Sequence, residues 1–395
     1  LSNPRPFLFT DLDRDGQVSP GEFMDLGTLG GPSGQAFGIN NFGQVVGFAD
    51  DTMSNARAFL FEDFNGNHLV DVGELIDLGT LGGASSVAYA TNDNGQIVGQ
   101  SFNEIEEKRA FSLAGSGQMM VDLGTLGGMD SSARDINNAG QIVGVAQDGM
   151  SNNRGFLWRD GVMFDLNEAV PTGTPTIVRA EGINDRGQIV AVADVGGGFE
   201  HGVLLNPLPQ YQIFDVGVTT DGVSTANAIN KFSQVVGQAD NGTTINAYLF
   251  TDDNFNRVPD FGEVLDLGDT VTGTGSSGDV NDASVVVGTE TVGDAPFLFQ
   301  DLDADGTVDA DELILLTGLQ ANGAADARGI SNAEEVVGQF TNASVQQRAY
   351  LWTDANFDRI VDAAEILDIG TLGGPVSFAN DVNDFGEVVG GTDVS

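Results

Sequence analysis

Short apolar runs recur along the chain at nearly even intervals, separated by Gly, Asn and Asp. Stretches such as Ala58-Phe59-Leu60-Phe61 and Val45-Val46 are apolar on consecutive rather than alternate positions. Strands of that kind need cover on both faces. Within one unit the pattern predicts four of them. Gln35–Asn40 is closed by the turn Asn41-Phe42-Gly43, and Gln44–Ala49 follows. A polar turn, Asp50–Asn55, leads to Arg57–Phe61, and Leu75–Leu78 is the fourth strand. Asn and Gly in the turns permit the positive φ of tight hairpins.

The unit repeats. DLGTLGG stands at Asp25–Gly31, Asp77–Gly83 and Asp122–Gly128, and as DIGTLGG at Asp368–Gly374, with worn copies at Asp215–Gly217 and Asp266–Gly268. Each is followed by a segment of the form A-x-x-I-N-x-x-G-Q-V-V-G and then by an aromatic run. The Asn of that segment falls at Asn40, Asn92, Asn137, Asn184, Asn230, Asn281 and Asn383, with Ser331 in its place once, at spacings of 45 to 52 residues. The 12 residues after Asn383 and the 40 up to Asn40 make one more full period. One unit is therefore split between the two ends: Ser377–Val389 supplies its two inner strands and the N-terminal residues its two outer ones. Four short strands per period, buried on both sides, describe a propeller blade. The expected fold is an all-β, eight-bladed β-propeller forming one domain over 1–395, with residues 1–29 completing the blade begun by 375–395. A β-solenoid is the rival, but it leaves two ends to cap.

The longer spacings, 50 to 52 residues, carry an insert between third and fourth strands that fits a twelve-residue calcium loop. Loop one offers Asp11, Asp13, Asp15, Gln17, Ser19 and Glu22; loop two Asp63, Asn65, Asn67, Leu69, Asp71 and Glu74. Loop three offers Asp252, Asn254, Asn256, Val258, Asp260 and Glu263. Loop four has Asp301, Asp303, Asp305, Thr307, Asp309 and Glu312; loop five has Asp354, Asn356, Asp358, Ile360, Asp362 and Glu365. A hard cation wants six to eight oxygens. Side chains at positions 1, 3 and 5, a main-chain carbonyl at 7, a direct or water-bridged group at 9 and a bidentate Glu at 12 provide them. Position 6 makes the sharp turn. It is Gly16 and Gly306 in two loops but His68, Arg257 and Arg359 in the others, which must accept a positive φ or a shifted turn. Loops one and four are expected to bind tightest. The inserts should emerge on the rim that carries the Asn-x-Gly turns.

Composition narrows the partners. With 58 acidic against 15 basic residues the formal charge is −43, a field that repels phosphate backbones and excludes nucleic acid while favouring cations. No cysteine is present, so disulfides and thiolate metal sites are excluded. No run reaches the roughly eighteen apolar residues of a membrane helix, and membrane insertion is not expected. Leu1-Ser2-Asn3-Pro4 does not read as a secretory signal, and a mature or excised form is expected.

DLGTLGG followed by A-x-x-I-N-x-x-G-Q-V-V-G and then AFLW or AFLF resembles the HAF-type extracellular repeat of bacterial secreted proteins. The likeness weakens around Pro171–Ile177 and Val271–Ser277, where the connection into the next first strand has drifted. The resemblance implies a secreted or surface location and no defined enzymatic activity.

Other signals are discounted. Gly273–Gly278 spells G-x-G-x-x-G without the strand–loop–helix setting of a nucleotide site. His68 and His201 lie in unrelated units, beside no motif-like serine. Trp158 and Trp352 hold a third-strand slot also filled by Phe61, Phe250 and Phe299, which reads as core. The resulting expectation is a non-catalytic, calcium-binding structural or adhesive module of a matrix, surface layer or filament, with copies of itself or an extracellular polysaccharide as partners. A carbohydrate-binding propeller is the alternative: it should expose aromatics in the Asn-x-Gly turns, where Phe42, Phe232 and Phe385 stand. A polysaccharide-cleaving enzyme is a third reading. It should group charges on first strands, where Arg134, Asp135, Arg179, Glu181, Arg328 and Asp381 lie.

Overall fold

The computed structural model describes residues 3–115, 117–207, 211–216, 222–240, 244–252, 263–268, 275–290, 295–303, 305–309, 311–320, 323–356, 361–362 and 365–394. The chain is an all-β, eight-bladed propeller of four-stranded antiparallel sheets. Blade 1 is built from Gly30–Ile39, Val45–Asp51, Ala56–Phe61 and Leu75–Gly79. Blades 2 to 7 follow the same order, starting at Gly82, Gly127, Thr176, Ser224, Gly275 and Ala325. Blade 8 takes its inner strands, Gly373–Val382 and Val388–Val394, from the end of the chain. Its outer strands, Pro4–Phe9 and Phe23–Asp25, come from the start, with Phe7 opposite Gly390 and Phe9 opposite Val388. The split unit is thus one sheet.

The blades fall into two compact groups, residues 1–122 with 317–395, and residues 123–316. In each, apolar clusters form between neighbouring blades. In the first group Leu8, Met24 and Leu26 of blade 8 pack on Ala36, Val45, Phe59 and Phe61 of blade 1. In the second, Val143 and Leu157 of blade 3 join Ile177, Ile189 and Leu205 of blade 4. Third strands such as Ala56–Phe61 are buried at four successive positions, as consecutive apolar residues require.

In blades 1, 2, 3 and 8, the ones entered through an intact motif, first strands are longer than the sequence pattern indicates, ten residues each. Where it marks Gln35–Asn40, the strand runs Gly30–Ile39, so the second half of DLGTLGG belongs to the following blade. The physical reason lies in the motif itself. The DLG aspartate takes the amide of the Gly two residues on (Asp25 Oδ1 to Gly27 N, 2.8 Å; Asp77 to Gly79, 2.8 Å), and that Gly sits at φ +83°. The chain thereby leaves one blade in a side-chain-stabilised turn. The Thr then closes a second turn, Thr28 Oγ1 donating to the Gly31 carbonyl at 2.7 Å, and Leu29 bridges to Asp51 of the next blade. Where the motif has worn away after blade 3, Asn167 replaces it, accepting from Ile177 N at 2.7 Å and donating to Ile177 O at 3.0 Å. Gly275–Val280, which overlaps the second part of the G-x-G-x-x-G run, is simply the first strand of blade 6; Gly273 and Thr274 lie outside the described residues.

Two further staples join blades. The repeat Asn organises its turn, Asn40 Oδ1 accepting from Phe42 N and Gln44 N at 3.0 Å, and donates to the next blade's Asn carbonyl at 2.9 Å. Blades 3 to 5 repeat this through Asn137, Asn184 and Asn230. The second is a serine. Ser86 Oγ accepts from Ala58 N of blade 1 (2.9 Å) and donates to the Gly79 carbonyl (2.6 Å). Ser377 does the same with Ala349 and Gly370. At the junction of blades 8 and 1 the Ala is Pro6, which has no N–H, and the Ser is Gly34, whose Cβ would lie 2.9 Å from the Pro6 ring. Ser86→Ala leaves the buried Ala58 amide without its acceptor, an expected loss of about 1–3 kcal/mol, read as a lower urea midpoint.

Candidate metal centres

The five inserts leave and re-enter their blades by one neck. The residue after the third strand donates its amide to the carbonyl of the position-12 Glu: Thr10 to Glu22, Glu62 to Glu74, Thr251 to Glu263, Gln300 to Glu312 and Thr353 to Glu365, at 2.9 to 3.2 Å. In the four loops with both partners described, the Glu side chain is also fixed. One oxygen accepts from the amide at position 2 (Leu12, Phe64, Leu302, Ala355) and the other from position 9 (Ser19, Asp71, Asp309, Asp362). Glu22, Glu74, Glu263 and Glu312 are buried, none above 6 % exposed. A carboxylate is held at such depth only with hydrogen bonds or a cation around it.

Position 1 aims inward in the same way. Gly16 N and Asp15 N donate to Asp11, Gly306 N to Asp301, and His68 N with Gly66 N to Asp63. The turn at position 6 is left-handed in each described case: Gly16 at φ +67°, Gly306 at +73° and His68 at +55°. His68 therefore accepts the glycine conformation rather than shifting the turn. Position 4 is left-handed too, at Arg14 (+55°) and Gly66 (+66°), a requirement that only Gly66 betrays in the sequence. Asn254, Asn256, Val258, Asp260, Asp358 and Ile360, with Arg257 and Arg359, lie outside the described residues.

Two oxygens on one Ca²⁺ at roughly 2.4 Å lie no more than about 4.8 Å apart. Asp11, Asp13 and Asp15 bring carboxylate oxygens within 4.8 Å of one another, as do Asp301 with Asp303 and Glu312, and Asp303 with Asp305 and Asp309. Loops one and four thus bring together carboxylates that could hold a metal ion, with the position-12 Glu among them in loop four. Loop two is tied differently: Asn65 and Asn67 turn their amide nitrogens to Asp71 at 2.8 and 2.9 Å, bonds a cation would replace. Desolvation and the facing Asp15 push the Asp13 carboxyl up; desolvation with Asp305 and Glu312 does so for Asp309. Desolvation acts in the same sense on Glu312, yet the amides of Asp309 and Leu302 outweigh it and hold the group below its ordinary value.

In the second group Asp252, the first residue of loop three, shares a cavity of about 240 Å³ with Arg186 and Ser233 of the repeat turns that join first to second strands. Among the charges flagged for catalysis, the described contacts are structural. Arg134 and Arg179 share Glu181 at 3.0 and 2.7 Å, and Arg179 also reaches Glu200 at 2.7 Å. Asp135 is half-buried and accepts from Ile136 N and Ile183 N, both at 2.8 Å; desolvation pushes its carboxyl up despite them. Asp381 accepts from Val382 N and Ile39 N. Arg328 pairs with Asp326 and stacks over Phe378. His201 bridges Asp215 and the Gly222 carbonyl. Its place is that of Arg5, Arg57 and Arg109, which pair with Asp25, Asp77 and Asp122, so it is one more third-to-fourth-strand clasp. Trp352 is buried, 1 % exposed, whereas Trp158 is half-buried.

The chain matches no protein-family model and no curated protein. It is similar in fold to the β-propeller domain of the Trilobed protease from Pyrococcus furiosus, described as having an open velcro topology, at 12 % identity and a TM-score of 0.51, over 87 % of this chain and 99 % of that one. It is also similar to a prolyl endopeptidase at 11 % identity and a TM-score of 0.53, over 80 % of this chain and 47 % of that one. Identities this low speak for the propeller alone. Among the described residues no helix is long and apolar enough to cross a membrane.

Proposed function

We propose that this propeller is a non-catalytic, calcium-binding extracellular module with a structural or adhesive role. The supporting observation is the recurrence of one loop at one place in the blade, with the same neck in all five copies and the same clamped glutamate in four. A loop that served only to connect strands would have no reason to keep acids at fixed offsets around a buried carboxylate. The resemblance to HAF-type repeats supports the extracellular placement. The acidic surface, at −43, suits divalent ions that either stiffen single molecules or bridge acidic rims of neighbours.

The position-1, -3 and -5 side chains would hold the ion with the position-12 Glu, in loops one and four first. When calcium stands a hundredfold above a site's dissociation constant, each filled site adds about 2.7 kcal/mol. Calcium titration by calorimetry is expected to show several equivalents bound, with a raised unfolding midpoint reversed by chelator. Glu312→Gln should remove one equivalent and leave the others. No heat and no change in midpoint at millimolar Ca²⁺ would end the metal reading. An unchanged elution volume with and without chelator in size-exclusion chromatography would end the bridging role alone.

A further inference from the structure

Phe42 and Phe385 occupy the same position in the Asn-x-Gly turns of blades 1 and 8, and they are 72 % and 66 % exposed. Neither buries a core face. Blades 2, 3, 6 and 7 place Asn94, Ala139, Ala283 and Ala333 there, so the turn itself does not ask for an aromatic ring. Phe232 of blade 5 is accounted for locally, since Lys231 and Arg186 lie 5.1 and 5.9 Å from its ring centre. Among the described residues Phe42 and Phe385 stack on no other ring and under no cation.

The two turns are rigid and joined. Asn383 Oδ1 accepts from Phe385 N at 3.1 Å and Glu387 N at 3.0 Å, as Asn40 does from Phe42 and Gln44. Asn383 Nδ2 donates to the Asn40 carbonyl at 3.0 Å, and Asp384 N to Asn41 Oδ1 at 3.2 Å. Each ring has a polar neighbour in the chain, the Asn41 amide and the exposed Asp384 carboxylate, which lie 3.4 Å apart. Asp384 also accepts from Asn332 N and Nδ2 at 3.0 and 3.2 Å, which leaves one acceptor site on Asp384 and one on Asn41 Oδ1 for hydroxyl protons.

We propose that this edge binds a neutral saccharide chain, the C–H faces of its sugars on Phe42 and Phe385 and its hydroxyls on Asn41 and Asp384. The inference deepens the adhesive reading, on which it rests, by naming its partner class. The turn backbones are already ordered by hydrogen bonds, which lowers the ordering cost of binding and favours a ligand held by few contacts. A single-stranded nucleic acid also stacks on aromatics, but it needs a basic groove, and the chain has two lysines and a charge of −43.

The test is affinity electrophoresis of the calcium-loaded protein through gels containing soluble β-glucan, xylan, mannan or dextran, with pull-down on cellulose and chitin. Wild type should be retained by at least one of these. Phe42→Ala/Phe385→Ala should weaken that retention by about fivefold or more, the effect of losing two aromatic contacts. Met53→Ala, at a 76 % exposed site of blade 1, should not. Unchanged thermal unfolding of the double variant separates lost binding from lost fold. Retention by none of the polysaccharides, or equal retention of the double variant, overturns the proposal. Calcium binding is measured separately by calorimetry: a protein that takes calcium and no polysaccharide sinks this inference alone, and one retained without taking calcium sinks only the metal.

Discussion

Gly99→Val should cost about 4 kcal/mol or more and leave little soluble protein, an effect in the range reserved for overpacked cores. Gly99 sits in the second strand of blade 2, in the V-G slot shared with Gly47, Gly144, Gly237, Gly338 and Gly390. The first strand bulges beside it, between Ala88 and Ala90. That bulge turns the Val87 carbonyl to 2.0 Å from where a Cβ would stand, and the Phe111 ring lies 2.9 Å from the same point. In blade 4 Ala191 fills the slot: it faces Val203 instead of an aromatic, and the first strand shifts register between Ile177 and Arg179 as well as between Ala180 and Gly182. Replacing the ring alone leaves the Val87 carbonyl in place, so Gly99→Ala combined with Phe111→Val should regain little of the stability that Gly99→Ala loses, and Ala191→Gly should cost no more than about 1 kcal/mol. Urea midpoints decide it: a soluble Gly99→Val protein with the wild-type midpoint would mean that the glycine slot carries no steric constraint.

Deleting residues 1–25 is the second large effect. The deletion strips both outer strands from blade 8 and leaves Val388–Val394 as an open edge. It also removes Phe7, Leu8, Phe9 and Met24, each 6 % exposed or less. At roughly 1.5–3 kcal/mol per buried side chain, the loss is about 6–12 kcal/mol, comparable to the whole stability of a typical domain. The truncated chain is expected to aggregate through that edge, and a synthetic peptide spanning residues 1–27 added during refolding should restore monomeric protein. A truncated protein that unfolds at the wild-type temperature would show that the terminal strands add nothing.

Blade number, strand order and the shared blade were legible because period, consecutive apolar runs and the leftover residues at each end all follow from burial and chain length. The inserts were legible for another reason: acids at fixed offsets stand out in the sequence whatever fold surrounds them. Strand starts were not. Gly30 and Gly82 read as turn residues, yet each opens a ten-residue strand, because φ values of +103° and +107° let the chain cross to the next blade while bridging to it. The Ser86 and Ser377 staples were invisible for want of a pattern: one serine among many becomes informative only beside its partner amide. The exchange of Ser and Ala for Gly34 and Pro6 is readable once that pairing is known. Phe42 and Phe385 are visible in the sequence as turn aromatics, but not as a pair. Their adjacency depends on blades 8 and 1 being neighbours, which the split repeat already entailed.

Each clamped glutamate is bonded to amides of its own loop, and the neck beneath it is closed by a backbone bond in all five copies. In loops one and four an arriving cation would meet carboxylates already drawn together and would have little posture left to alter. Those inserts would act as rivets rather than levers. Whatever touches this rim would register a change of charge and stiffness, while the outline it grips stays the same.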